Sequence, residues 1–531
     1  MICKCCKSDK SKEYFSKSQL KKKTNDRKCI DCYKRESNNF TLETQKELFS
    51  NFIKWLCDNG AKFPNLNITH YNENFRGIIT NKNIHAGKVI LNVPHSCIIT
   101  TIKAKKSQVG IELENSGFTN HSSHTWLALY ILQEKLNPTS FWKPYLDILP
   151  PSYDDFPQFY SSDELKQLTG SFVLDMIRSR NLNLEKEYNE LVAVLPIFGK
   201  KMSLRDYIWV RIAIVSRVFQ INLSKNENTQ GLVPMADMLN HSKTPGTRWS
   251  YVPDDDAFVI VSDSFIFKGK EVFDTYGPKC NSRYLVNYGF TLKDNHENNQ
   301  AAIFIDPEKL MDMYKSSHKE TKLKLIDNNY TTIDDSYCEY SFLIEEEKET
   351  KILKDNNFRF QFMKLLNQEV TQSNKTFTGL HSTWCLFGFL RVLLSNEQEF
   401  ENIMKIINDK TNQSKKLKFT EILLIIPPQS INTELLVLKV LANNCESVLE
   451  GFSTLVEKDE KELETTEPYS NRWNILNMLI GEKKTLLFYR DLEVFVNKLW
   501  QETGSKHKVG RFLRKHELYS PYYKFCWSKI L

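Results

Sequence analysis

The sequence predicts an α+β fold: small β-sheets interrupted by a helical insertion, then an all-α C-terminal domain. Three observations carry this expectation. Residues 78–99, and again 249–252, 257–261 and 271–273, hold short alternating or apolar runs divided by Gly87, Pro94 and other turn formers, and read as brief strands. Residues 121–215 follow a mostly helical pattern, with Ser203 as an N-cap and Trp209, Ile212 and Val215 on one face. Beyond Gln300 the helical period dominates. Leu435, Leu438, Leu441, Cys445, Val448 and Phe452 make one apolar stripe, and 473–500 reads as two helices around Gly481.

At 531 residues the chain is long enough for two or three cores. Hydrophobic residues make up 41% of it, with 33 Phe and 22 Tyr, which suits a well-filled globular protein. No apolar run approaches the roughly eighteen residues that span a bilayer, so no membrane partner is expected. Residues 1–6 lack the apolar stretch of a secretory signal, and a cytoplasmic or nuclear location follows. In such a reducing setting, paired cysteines are read as metal ligands before disulfides.

The N-terminal segment holds Cys3-x-x-Cys6 and Cys29-x-x-Cys32, separated by 22 residues. That spacing suits a tetrahedral Zn2+ on Cys3, Cys6, Cys29 and Cys32, with Cys5 a spare thiol. Few apolar residues lie between the pairs, so metal would have to supply the folding energy. Residues 1–38 also hold twelve Lys/Arg against five Asp/Glu, a net +7 that equals the charge of the whole chain. An acidic protein or nucleic-acid partner therefore belongs to this module. Leu48, Phe52, Trp55 and Leu56 next recur at helical spacing over 41–57. Acidic-basic runs at 345–351 and 457–467 read as solvated loops or helix faces.

Two stretches then carry chemistry: Ala236-Asp237-Met238-Leu239-Asn240-His241-Ser242, answered by Lys270-Glu271-Val272-Phe273-Asp274-Thr275-Tyr276-Gly277. Together they resemble the active-site knot of a SET-domain methyltransferase, in which the Asn-His and Tyr segments cross as a pseudoknot. Residues 282–290, with 126–130 and the Trp142-Lys143-Pro144-Tyr145 stretch, resemble the Rubisco large-subunit lysine methyltransferase group. After the zinc-binding basic module that the cysteine spacing suggests at 1–38, the resemblance implies a SET domain at 48–290 with a helical insertion near 105–205, and a helical substrate-binding-like domain at 300–531.

The resemblance also implies roles. S-adenosyl-L-methionine would be held by Asn74, Phe75, Arg76, Arg217, Asn240, His241 and Tyr276, with Arg217 near the methionine carboxylate, where a charged fork suits a carboxylate. Tyr276 would be the catalytic residue beside the transferring methyl. Asp237 and Tyr288 would line the substrate channel. The loop around Phe75 departs from the family pattern, since Asn74 or Phe75 stands where a glycine is expected. No glycine-rich loop suggests a Rossmann-type alternative.

In-line attack on a sulfonium needs two pockets meeting at a narrow point. Presenting a lysine as the neutral amine at neutral pH costs about 4 kcal/mol, and a dry aromatic channel lowers that cost by desolvating the ammonium. The expected activity is a monomeric enzyme that methylates lysine on a non-histone protein. Tyr288 favours lysine, because the matching position in actin-histidine methyltransferases is small. Protein-histidine methylation is the alternative, and a non-catalytic SET scaffold that binds a partner through its zinc module is a third reading.

Overall fold

The computed structural model describes residues 46–530, apart from 72–74, 119–121, 225–226, 294, 296–297, 328–339, 346–374, 378–381, 414–422 and 424. The expected zinc ligands Cys3, Cys6, Cys29 and Cys32, and the expected cofactor contact Asn74, lie outside the described residues. Contacts divide the chain into two units, Met1–Tyr153 with Leu184–Gly277, and Asp154–Asn183 with Pro278–Leu531.

The first unit opens with a helix over 46–58 whose Phe49, Phe52 and Leu56 turn inward. Its strands are β1 (Leu66–His70), β2 (Arg76–Thr80), β3 (Val89–Pro94), β4 (Ile99–Thr100), β5 (Val218–Ser224), β6 (Glu227–Leu232), β7 (Asn240–His241), β8 (Thr247–Val252), β9 (Ala257–Ser262) and β10 (Glu271–Asp274). They form three small sheets ordered β1-β2-β10-β7, β3-β9-β8 and β4-β6-β5. Most pairings are antiparallel, as short connections allow. The exception is β7 on β10, which run parallel with Phe273 opposite Asn240 and Asp274 opposite His241. The Ser242 N–H, donating to the Asp274 carbonyl at 2.8 Å, extends that crossing by one bond.

Between β4 and β5 the chain turns helical. Ser123–Leu136 and Leu204–Arg217 each start in a capping box, Ser122 with Thr125 and Ser203 with Asp206. Leu204–Arg217 buries Tyr207, Trp209, Val210, Ile212, Ala213 and Ile214. It ends at Arg217, where Val218 turns extended to begin β5. That change of direction delivers the Arg217 guanidinium to the site described below.

The second unit holds the strands β11 (Gln300–Ile305), β12 (Tyr340–Glu345) and β13 (Lys375–Phe377) and a set of helices, the longest being Ile431–Glu450 and Asn471–Thr503. Its core gathers Leu386, Phe387, Leu390, Leu438, Leu441 and Leu492 with the C-terminal Tyr522 and Trp527. The sequence suggests two helices around Gly481. A single helix runs through it instead, and the glycine is there for close approach, since a Cβ would fall 2.6 Å from the Asn299 Oδ1. The acidic run at 457–467 also departs from a purely solvated face. Asp459 is buried and accepts from Lys483 at 2.5 Å. No described helix is long and apolar enough to cross a membrane.

Candidate active site

The crossing of β7 and β10 sets Asn240 and His241 beside Tyr276. The backbone N–H of Tyr276 donates to His241 Nδ1 at 3.0 Å, and the two rings lie 5.2 Å apart. A ring nitrogen that accepts carries no proton, so in this arrangement the imidazole proton sits on Nε2. The Tyr276 hydroxyl donates to the Leu239 carbonyl at 2.8 Å. Its position is thereby fixed from both ends.

Asn240 is committed as firmly. Its amide nitrogen donates to the Arg76 carbonyl at 2.9 Å and to Glu271 Oε1 at 2.7 Å, tying β7 to β2 and β10. Both amide hydrogens are thus used within the protein, which leaves only the side-chain oxygen for a ligand. Gly77 is small for the same reason, because a Cβ there would lie 2.9 Å from Asn240 Nδ2.

Ahead of the crossing, Met235 is fully buried with φ 74 and ψ −42, a conformation near the strained γ-turn. It starts the turn Ala236–Met238, which drives the Asp237 side chain to 0% exposure. Asp237, read from sequence as lining the substrate channel, is held inside. Its Oδ2 accepts from Tyr145 at 2.7 Å and from Arg217 Nη1 at 3.2 Å, and Arg217 also donates to its carbonyl at 2.9 Å. Arg76 joins from β2 and donates to the Ile148 carbonyl at 2.8 Å.

Charge in this cluster does not balance. Two guanidiniums share one carboxylate. Burial first, and then the neighbouring Arg217, pull Arg76 down to about 10, with Asp237 partly offsetting them. Burial also works against the charge of Arg217, but Tyr153 and Asp237 outweigh it and hold the group protonated. Burial and then Asp237 push the Tyr145 phenol well up. Arg76 Nη2, Arg217 Nε and Asp237 Oδ1 are buried without a protein partner. Orphaned donors on two cations suit a carboxylate ligand, which would satisfy them and supply the missing negative charge.

Phe75 is 47% exposed, 5.2 Å from the Tyr71 ring, and the Tyr71 hydroxyl donates to Glu271 Oε2 at 2.8 Å. Arg76, Arg217, Asp237, Asn240, His241 and Tyr276 therefore meet in the first unit. Tyr288 belongs to the second unit, at the end of the helix Asn281–Tyr288. There its ring lies 6.3 Å from Tyr284 and 6.2 Å from Phe290, with the Lys279 ammonium 5.7 Å above it. Sequence reasoning passed over Tyr145, Tyr153 and Glu271 as site residues. Tyr145 and Glu271 stand inside the motifs quoted for the resemblance, yet only the fold brings Tyr145 to Asp237, 92 positions away. Among the described residues no group of His, Cys, Asp and Glu could hold a metal ion.

Residues 76–277 match the SET domain family, and residues 346–486 match the family described as Rubisco LSMT substrate-binding. Among curated proteins, the chain is 24% identical over 456 residues to the actin-histidine N-methyltransferase of Gallus gallus, covering 83% of this chain and 67% of that one. It is 26% identical over 260 residues to the Dasypus novemcinctus protein of the same name, and 25% identical over 272 residues to that of Homo sapiens. Those two alignments cover 47% and 49% of this chain and 44% and 46% of the relatives, so the chain matches about half the length of these mammalian proteins. In fold, it is similar to the SET domain of LSMT bound to lysine and AdoHcy, with a TM-score of 0.63 and 19% identity over 88% of this chain and 96% of that one. Rubisco LSMT bound to AdoMet gives 0.61 and 20% over the same shares.

Proposed function

We propose that this chain, a protein methyltransferase carrying a SET domain and a Rubisco LSMT-type substrate-binding domain, transfers methyl groups from S-adenosyl-L-methionine to histidine on a protein. The observation that carries the histidine reading is the shared name of the curated relatives, actin-histidine N-methyltransferase. It replaces lysine on a non-histone protein as the leading expectation.

The cofactor supplies an activated methyl on its sulfonium when bound. In this reading Arg76 and Arg217 take its carboxylate, for which their orphaned nitrogens and surplus charge are suited. The Asn240 side-chain oxygen and the His241 backbone face its remaining polar groups. Phe75, exposed and aromatic, offers a surface to the adenine. Asp237 acts on the cofactor only through Arg217 and Tyr145, which it holds in place. In this reading Tyr276, whose fixing by Leu239 and His241 supports the role, would align the acceptor nitrogen with the methyl.

Histidine and lysine differ in the proton that must leave. An imidazole has a reference pKa near 6.5 and is already mostly neutral at pH 7.4, so it attacks without prior deprotonation. The new methylimidazolium then gives up its N–H proton to solvent. A lysine must lose its proton before attack. The pH profile of kcat/KM on a protein acceptor separates the two. A histidine target gives a plateau above about pH 7, and a lysine target gives activity still rising at pH 9.

Lysine remains the second reading, favoured by the aromatic Tyr288. Zinc on Cys3, Cys6, Cys29 and Cys32 rests on the spacing of the two cysteine pairs.

A further inference from the structure

The net charge of +7 conceals a segregation. Residues 1–38 carry +7, residues 506–529 carry seven Lys/Arg against Glu517, and the remainder of the chain is therefore acidic by six. The C-terminal share is concentrated on the helix Lys506–Lys515, which lies beyond the matched substrate-binding region at 346–486.

One side of that helix is already used. Val509 and Leu513 are 0% exposed in the core of the second unit, and Gly510 is buried with them. The opposite side presents His507, Lys508, Arg511, Arg514 and Lys515 to solvent, with Phe512 52% exposed among them. Lys508, Arg511, Arg514 and Lys515 make no ion pair among the described residues. Helix stability accounts for only part of this. Arg514 and Lys515 in the last turn complement the helix dipole, but at the positive N-terminus, where the first turn holds no acidic residue, Lys506 donates to the Ile530 carbonyl at 3.1 Å while Lys508 is exposed. Lys508, set against the dipole, and the exposed cations that follow it point to a use outside the helix.

We propose that the exposed face of Lys506–Lys515 docks an acidic segment of the protein substrate, an inference that rests on the methyltransferase reading above. From Lys508 to Lys515 the cations form a stripe about 10 Å long, the reach of about three extended residues. Arg511 and Arg514 offer planar forks to carboxylates, and Phe512 flanks the stripe. A membrane is a poorer match, because an interfacial helix must lend its apolar face to lipid and this one has buried it. A duplex calls for basic groups spread along a groove, not one short stripe.

Fluorescence anisotropy of the full-length chain with a labelled oligoglutamate peptide tests this. Binding should weaken with salt. R511E/R514E/K515E should lose about tenfold in affinity with a small drop in melting temperature, since it reverses two charges that complement the dipole, and the neutral R511Q/R514Q variant should lose less affinity with its melting temperature close to the parent's. K21E/K22E/K23E, which alters the other basic segment, should bind as the parent does. Parental affinity in both helix variants would overturn the proposal, as would tighter binding of duplex RNA or of phosphatidylserine vesicles than of the peptide in the K21E/K22E/K23E background. Peptide binding is read without methyl transfer. An error in the methyltransferase reading would instead appear as absent turnover with docking intact.

Discussion

The backbone N–H of Tyr276 meets His241 Nδ1 at 3.0 Å, and the hydroxyl of the same tyrosine meets the carbonyl of Leu239 at 2.8 Å. One residue is thus anchored twice to the segment that crosses its own strand. The parallel pairing of Asn240–His241 with Glu271–Asp274 makes this possible, since it sets residues 35 positions apart side by side.

Removing the Tyr276 hydroxyl should therefore separate catalysis from folding. Tyr276→Phe deletes one neutral hydrogen bond, which costs about 1 kcal/mol of stability, and leaves the ring in place. Single-turnover methyl transfer should fall about a hundredfold or more, while cofactor affinity measured by calorimetry stays within a few-fold. A near-normal single-turnover rate would remove Tyr276 from the chemistry.

Arg217 should matter to both stability and binding. Arg217→Ala leaves the buried Asp237 carboxylate with the Tyr145 hydroxyl and the charge of nearby Arg76, and breaking a buried pair costs up to about 3–5 kcal/mol, less where a second cation remains. Cofactor affinity should fall by about tenfold or more, because one of two carboxylate-facing cations is lost. Arg217→Lys keeps the charge and should recover much of the stability. Thermal denaturation and calorimetry on the two variants check these outcomes.

In the second unit, Glu482 predicts a pH dependence of stability. Burial pushes its carboxyl up to about 8, against the opposing bonds from Ser171 and Phe172 and the charge of Lys483. An unfolded glutamate titrates near 4.3. The folded state therefore holds a proton that the unfolded chain releases, and stability falls as pH rises from about 4.3 through 8. Glu482→Gln removes that proton from the balance. Its melting temperature should gain on the parent as pH rises across this window, by the equivalent of about 1–3 kcal/mol at pH 8. A constant difference between the two proteins would contradict the assignment.

Metal analysis tests the N-terminal cysteines. Protein purified without chelators should carry one zinc per chain, lost when Cys29 and Cys32 are replaced by serine. Methyl transfer should survive chelation, since the candidate active site draws on no metal ligand cluster among the described residues. Absence of zinc in the parent chain would refute the first claim, and loss of activity on chelation the second.

The elements legible in the sequence were those in which one local rule decided the outcome. Ser203 is an N-cap with Asp206 completing the box, and the strands expected at 249–252, 257–261 and 271–273 appear as Thr247–Val252, Ala257–Ser262 and Glu271–Asp274. Gly481 was misread because a glycine in a helical pattern has two causes. Chain termination leaves a mark nearby, whereas close approach by Asn299 leaves none. In the candidate site, Asn240, His241 and Tyr276 were legible because they share a motif. Tyr145 and Tyr153 were not, because the grounds for singling them out are the buried charges of Asp237 and Arg217, met only through the fold. Lys483 and Asp459 were hidden likewise, since a charged pair looks solvated until burial is known.

The most direct measurement is mass spectrometry of native cell proteins after incubation with the full-length chain and isotope-labelled S-adenosyl-L-methionine, with Tyr276→Phe as the control. Label is expected on histidine in a small set of proteins, formed by the parent chain and greatly reduced with the variant. Label confined to lysine would overturn the target while leaving the enzyme class intact. No protein labelled by the parent above the control would contradict the proposal that Tyr276 drives methyl transfer to protein.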